Sequence, residues 1–107
     1  EKLLWNTVLD DETSYLETSG SAAIIAGVLK GIRLGFIDSK YKKDIMNSLN
    51  SLLEFIDEDG TVLNVSAGTS IGDDKEHYKN IMINPMAYGQ SLMMIAIIEG
   101  MNHLGEV

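Results

Sequence analysis

The chain has 107 residues, 16 acidic against 8 basic, and a formal charge of −8. That length suits one domain, and so few cations exclude a non-specific grip on nucleic-acid phosphates or a polybasic hold on anionic lipid. Cysteine is absent, which excludes disulfides, a thiolate nucleophile and Cys-based metal or iron–sulfur sites while leaving the compartment open. The apolar share of 45% fits a packed domain and not an acidic disordered tail. The longest apolar runs, 22–29 and 92–98, fall short of the roughly 18–20 residues a membrane span needs. The chain opens with Glu1 and not Met, so it reads as a processed product or a piece of something longer.

In chain order, residues 3–9 are apolar with one polar pair, and their period is ambiguous between strand and helix. Residues 10–14 read as a solvated turn. A hydroxyl-rich run over 18–21 leads into the first helix, with Thr18 or Ser19 as its N-cap. That helix runs to about Leu34, with Lys30 and Arg33 in its last turns and Gly35 in the left-handed terminal position. The second helix starts near Asp38 or Ser39 and ends before the Asp57-Glu58-Asp59-Gly60 turn. Its apolar residues Ile45, Leu49, Leu52, Leu53 and Ile56 form a single stripe. Between Gly60 and Asn84 the reading is a long loop with a short hairpin, a length of irregular chain that is often functional. Asn84 as cap and Pro85 in the first helical position open the third helix.

The first helix and the segment Leu92 to Ile98 are apolar nearly all round, and helices of that kind are covered on every side once folded. One amphipathic helix and one loop cannot cover two of them. The chain is therefore expected to need more protein around it, from an oligomer or from the rest of its parent.

Most candidate sites reduce to ordinary structure. Asp57-Glu58-Asp59-Gly60 resembles a calcium loop, but placing Gly60 at loop position 6 puts Phe55 and Ser66 where carboxylates are required. Gly68-Thr69-Ser70-Ile71-Gly72 lacks the Lys-Ser/Thr pair of a phosphate loop, and Asp73-Asp74 would repel phosphate. Gly27, Gly31 and Gly35 at four-residue spacing read as close helix–helix approach. His77, in the long loop, and His103, near the C-terminus, are too isolated for a metal or triad motif, and the methionines read as core filler. Glu17 is the carboxylate that stands out. It precedes Thr18-Ser19-Gly20-Ser21 at a helix start whose free amides and hydroxyls could meet an anionic or sugar ligand; the plainer reading is a capping carboxylate.

Leu4-Trp5, Val8-Leu9-Asp10, Tyr15 through Ala22 and Lys30 through Gly35 together resemble the late part of glycoside hydrolase families 88 and 105, the unsaturated glucuronyl and rhamnogalacturonyl hydrolases. The order that follows is similar too: Asp59-Gly60, Gly68 through Gly72, Tyr78, then Ala87-Tyr88-Gly89-Gln90 and a final helix ending at Glu99. The resemblance implies an all-α fold, with residues 1–107 as the C-terminal portion of an (α/α)6 six-hairpin barrel. It also implies hydration of the C4–C5 double bond of an unsaturated uronic acid at the end of lyase-generated oligosaccharides. In these families an aspartate protonates the double bond and activates water, with no metal or organic cofactor. The catalytic aspartates belong to earlier helices, so no catalytic residue falls in this chain. By motif match Glu17, Thr18, Ser19 and Ser21, with Gly68 and Thr69, would line or support the sugar site near the barrel mouth. The stretch Asn84-Pro85-Met86-Ala87 departs from the Asn-Asp pattern of some members, which leaves the subfamily open.

The expectation is thus a fragment of a saccharide-processing hydrolase, inactive alone, whose parent takes an oligosaccharide and neither nucleic acid nor membrane. The rival is a non-enzymatic helical module that buries its apolar helices by self-association.

Overall fold

Glu17, and not Thr18 or Ser19, starts the first helix: its carboxylate accepts from the amides of Ser19 and Gly20. A carboxylate there satisfies two otherwise unpaired N–H groups and suits the positive end of the helix dipole. Thr18 is spent elsewhere, donating its hydroxyl to the Leu63 carbonyl at 2.6 Å. In the computed structural model, which describes residues 3–105, this helix α1 spans Thr18–Arg33. It ends in a Schellman motif, with Gly35 N–H on the Ile32 carbonyl and Phe36 N–H on the Gly31 carbonyl. Gly35 takes φ +83°, the left-handed conformation this motif needs and glycine adopts without a Cβ penalty.

Asp38 caps a 3-10 turn, Ser39–Tyr41, that runs directly into α2, Lys42–Leu53. Ile45, Leu49 and Leu52 are buried as the stripe predicts, and Ser48 joins them. Leu53, counted in that stripe, is exposed, because the helix stops there and the chain turns away through a Phe55 N–H to Leu52 carbonyl bond.

No strand forms among the described residues. The ambiguous N-terminal segment is irregular chain whose Asn6 bridges Leu16, and the expected hairpin reduces to two isolated antiparallel bridges, Ile56 with Val62 and Ser66 with Ile83. The first closes the acidic turn, where Asp57 N–H donates to the Thr61 carbonyl and Gly60 N–H to the Asp57 carbonyl. Within the long loop sits a single-turn helix not foreseen from the sequence, α3, Lys75–Lys79, capped by Asp74 on the His77 amide.

The last helix, α4, spans Ala87–Leu104 with Met86 as its cap, so Asn84 and Pro85 stand before it and do not open it. The Asn84 amide is held by the Val65 carbonyl, which keeps that stretch extended until Met86. The helix also runs past Glu99, ending only at Gly105, which takes φ +72°.

α1 and α4 are parallel neighbours and share the most extensive interface in the molecule. At their C-terminal ends Arg33 pairs with Glu99 and His103 Nε2 lies 2.7 Å from the Leu29 carbonyl. At their N-terminal ends Glu17 and Tyr88 both bond Ser66. α2 runs back the other way: Lys42, at its start, reaches the His103 carbonyl, and Val62, past the acidic turn that follows its end, donates its N–H to the Gln90 side chain. The core lies between these three helices and is filled by Ile25, Leu29, Leu49, Leu52, Val65 and Met93. As a result the irregular stretches 3–17 and 54–86 gather at one end, over the N-termini of α1 and α4.

The glycine stripe does not mark a close helix–helix approach among the described residues. A Cβ on Gly31 would stand 2.6 Å from Ile37, Gly35 makes the terminal turn, and Gly27 meets nothing within 4 Å among the described residues.

Candidate functional site

At the end where the irregular chain gathers, an open cleft of about 570 Å³ lies between the start of α1, the N-terminal segment and the 66–70 loop. Five of the six residues expected at a sugar site meet there: Glu17, Ser19, Ser21, Gly68 and Thr69. The sixth, Thr18, is fully buried beneath them and takes no part in the lining. Ser21 is committed to the scaffold, accepting from the Trp5 amide at 3.1 Å.

Glu17 is a clip as well as a cap. One carboxylate oxygen accepts from Ser19 N–H at 3.3 Å, Ser19 Oγ at 2.6 Å and Ser66 N–H at 3.0 Å, and the other accepts from Gly20 N–H at 2.6 Å. These four donors join the start of α1 to the loop across the cleft. Ser66 is gripped at each of its other polar atoms. Tyr15 Oη lies 2.5 Å from its hydroxyl, and Tyr88 donates to its carbonyl while accepting from Gly68 N–H at 3.0 Å. Gly68, at φ +89°, then turns Thr69 out over the cleft.

Tyr15, Ser66 and Tyr88 were not singled out as site residues from the sequence, nor were Trp5 and Tyr78, which line the cleft. The available signal was the spacing that carries the family resemblance, in which Trp5, Tyr15, Tyr78 and Tyr88 all occur. Side-chain chemistry alone does not mark a tyrosine that works by holding a loop.

The far rim is tied down by charge. Asp10 pairs with Lys75 and Asp11 with Lys79, linking the 10–14 turn to α3. Hydrogen bonding holds both carboxyls below the usual range, from Lys75 for Asp10 and mainly from Thr13 for Asp11. His77 makes a loop contact and not a site contact: its Nε2 lies 2.9 Å from the Ser70 carbonyl and 3.2 Å from Ser70 Oγ. No cluster of His, Asp or Glu that could hold a metal ion occurs among the described residues, and none of their helices is long and apolar enough to cross a membrane.

Among the described residues lining the cleft there is no Lys, Arg or His, and Glu17 is the only carboxyl. The strongest ion pair lies at the opposite end of the helices. Arg33 grips Glu99 with two bonds of 3.0 and 2.8 Å. That grip holds the Glu99 carboxyl below its ordinary range, against the opposing effect of burial.

This arrangement, parallel inner helices backed by an antiparallel one with their loops at one end, is the architecture of α/α-barrel glycoside hydrolases. The family model for Glycosyl Hydrolase Family 88 matches residues 1–104, and the chain belongs to that family. It is 38% identical over 95 residues to an unsaturated rhamnogalacturonyl hydrolase, YesR, of Bacillus subtilis strain 168, covering 88% of this chain and 26% of that protein. Among solved structures, a possible GH105 member from Salmonella enterica serovar Paratyphi A superposes with a TM-score of 0.92 at 33% identity, over 97% of this chain and 28% of that one. A possible GH105 member from Klebsiella pneumoniae gives 0.90 at 31%, covering 95% and 27%. A family 105 glycoside hydrolase from Clostridium acetobutylicum, at 24% identity, shares the fold with a TM-score of 0.82 over 92% and 32%. The chain thus spans about a quarter of the curated relative's length. The family match does not favour the self-associating module.

Proposed function

We propose that residues 1–107 are the C-terminal portion of an α/α-barrel hydrolase that acts on the unsaturated uronic acid ending lyase-generated oligosaccharides. In that reaction water adds across the C4–C5 double bond, the proton going to C4 and the hydroxyl to C5, and the glycosidic link then collapses to release the next sugar. The observation that carries this reading is the cleft at the shared N-terminal end of α1 and α4, built from the residues whose order resembles the family. This chain supplies a wall of the sugar site, with Ser19, Gly68 and Thr69 at its surface and Glu17 and Ser21 holding it in shape. It supplies no general acid or base, and the Glu17 carboxylate is held by four donors. The catalytic aspartate belongs to the rest of the protein, and this portion alone is inactive.

The test is an assay of the full-length protein on unsaturated uronyl disaccharides of several linkages, following loss of the double bond's ultraviolet absorbance. Absorbance loss with at least one linkage is expected. A correctly folded protein that consumes none of them overturns the reading.

A further inference from the structure

Resting on that reading, we propose that the cleft over α1 and α4 receives the uncharged sugar that leaves, while the uronate carboxylate is held by residues outside this cleft. A carboxylate withdrawn from water into a protein cleft requires a cation or several hydrogen-bond donors to offset its lost hydration. Among the described residues lining this cleft there is no Lys, Arg or His. The donors at the start of α1 that could greet an anion are taken: the amides of Ser19 and Gly20 and the Ser19 hydroxyl all point to Glu17. That carboxylate adds a fixed negative charge, which repels a second one.

The rest of the lining suits a neutral ring. Leu9, Ile24 and Leu92 offer apolar surface to the C–H face of a sugar, while Thr69 brings a hydroxyl within the same cleft; the Asn6 amide N–H is spent on the Ser14 carbonyl. Tyr88 and Tyr78 lie alongside, their hydroxyls bonded to the loop, at Ser66 and Gly68 for Tyr88 and at Gly72 for Tyr78. The charge that orients the substrate therefore comes from outside this cleft.

The experiment uses the full-length protein with Thr69→Ala and Leu9→Ala, both at exposed positions. KM is measured for an unsaturated uronyl disaccharide with a neutral leaving sugar and for the methyl glycoside of the same unsaturated uronate. The ratio of the two KM values is expected to rise about fivefold for each variant, as loss of one hydrogen bond or one apolar contact implies. Equal changes on both substrates, or no change on either, overturn the proposal. Ligand-observed NMR with a free neutral monosaccharide and with free galacturonate, on wild type and Thr69→Ala, reads the cleft independently of turnover. If wild type is folded yet inactive on every substrate, the hydrolase reading fails. Binding of the neutral sugar that weakens in the variant then still supports the subsite, and its absence, or galacturonate binding that weakens in Thr69→Ala, overturns it.

Discussion

Glu17 was legible as a helix-start carboxylate, and the structure makes it one; what the sequence could not convey is its third donor, the amide of Ser66, 49 positions away. A cap is a local event, fixed by residues two or three apart, whereas a clip depends on which loop the fold delivers to the same place. The other end of α1 shows the same limit. Lys30 and Arg33 read as cations suited to a helix C-terminus, yet Arg33 spends its guanidinium on Glu99, which is only 8% exposed. Removing Arg33 leaves that carboxylate with one formal charge and too few partners. Arg33→Gln is therefore expected to lower the thermal midpoint clearly at pH 7. The sign of the pH dependence follows from the depressed Glu99 pKa: its stabilisation is present above the ordinary carboxylate range of about 4 and is lost as pH falls below it. The gap between Arg33→Gln and wild type should narrow toward pH 3, as thermal melts across pH would show; a gap constant with pH would mean that packing, not charge, is what Arg33 contributes.

At the scale of elements, periodicity and capping chemistry found three of the four helices, and the fourth escaped for a physical reason. α3 is one turn long, too short for a repeating pattern, and is fixed by Asp74 and by lysines that reach the 10–14 turn. The start of α4 was misplaced because Asn84 and Pro85 are good opening residues in isolation, but the Val65 carbonyl claims the Asn84 amide first. Within α4 the glycines set how closely the helix can lie against its neighbours. A Cβ on Gly89 would come 2.6 Å from Val65, and one on Gly100 would collide with the Leu49 side chain. Gly100→Ala should gain the intrinsic helix preference of alanine, about 1 kcal/mol, and lose more to overpacking, typically 1–3 kcal/mol. A net loss in urea unfolding is expected for it, and a gain would show that α2 and α4 have room to separate.

For the whole molecule, the inference that two all-round apolar helices require more cover is met by surface that the three-helix core does not reach. Met94, Ile95 and Ile98 are 61, 50 and 47% exposed along α4. Relatives three to four times longer carry this portion with the same fold, and in the proposed barrel the adjoining helices close over these edges. Ile98→Ser in the full-length protein should then cost about 1.5–3 kcal/mol, the value of a fully buried aliphatic side chain. A cost near zero by urea denaturation would mean that this edge of α4 stays open to water.

The gathering of the 3–17 and 54–86 stretches at one end separates positions that hold the skeleton from positions that do not. The Schellman turn, the Arg33–Glu99 grip and the His103 contact sit at the far end, where any drift would disturb the framework. The 54–86 stretch is tied to that framework by Val62 and Val65 in the core, by the Leu63 and Asn64 carbonyls on Thr18, and by the Ser66 clamp. Positions 69–71 are exposed and lie outside the buried core, so exchanges there leave the helix packing undisturbed. In the proposed sugar site, changes at those positions would alter the wall that meets the ligand and leave the skeleton as it is.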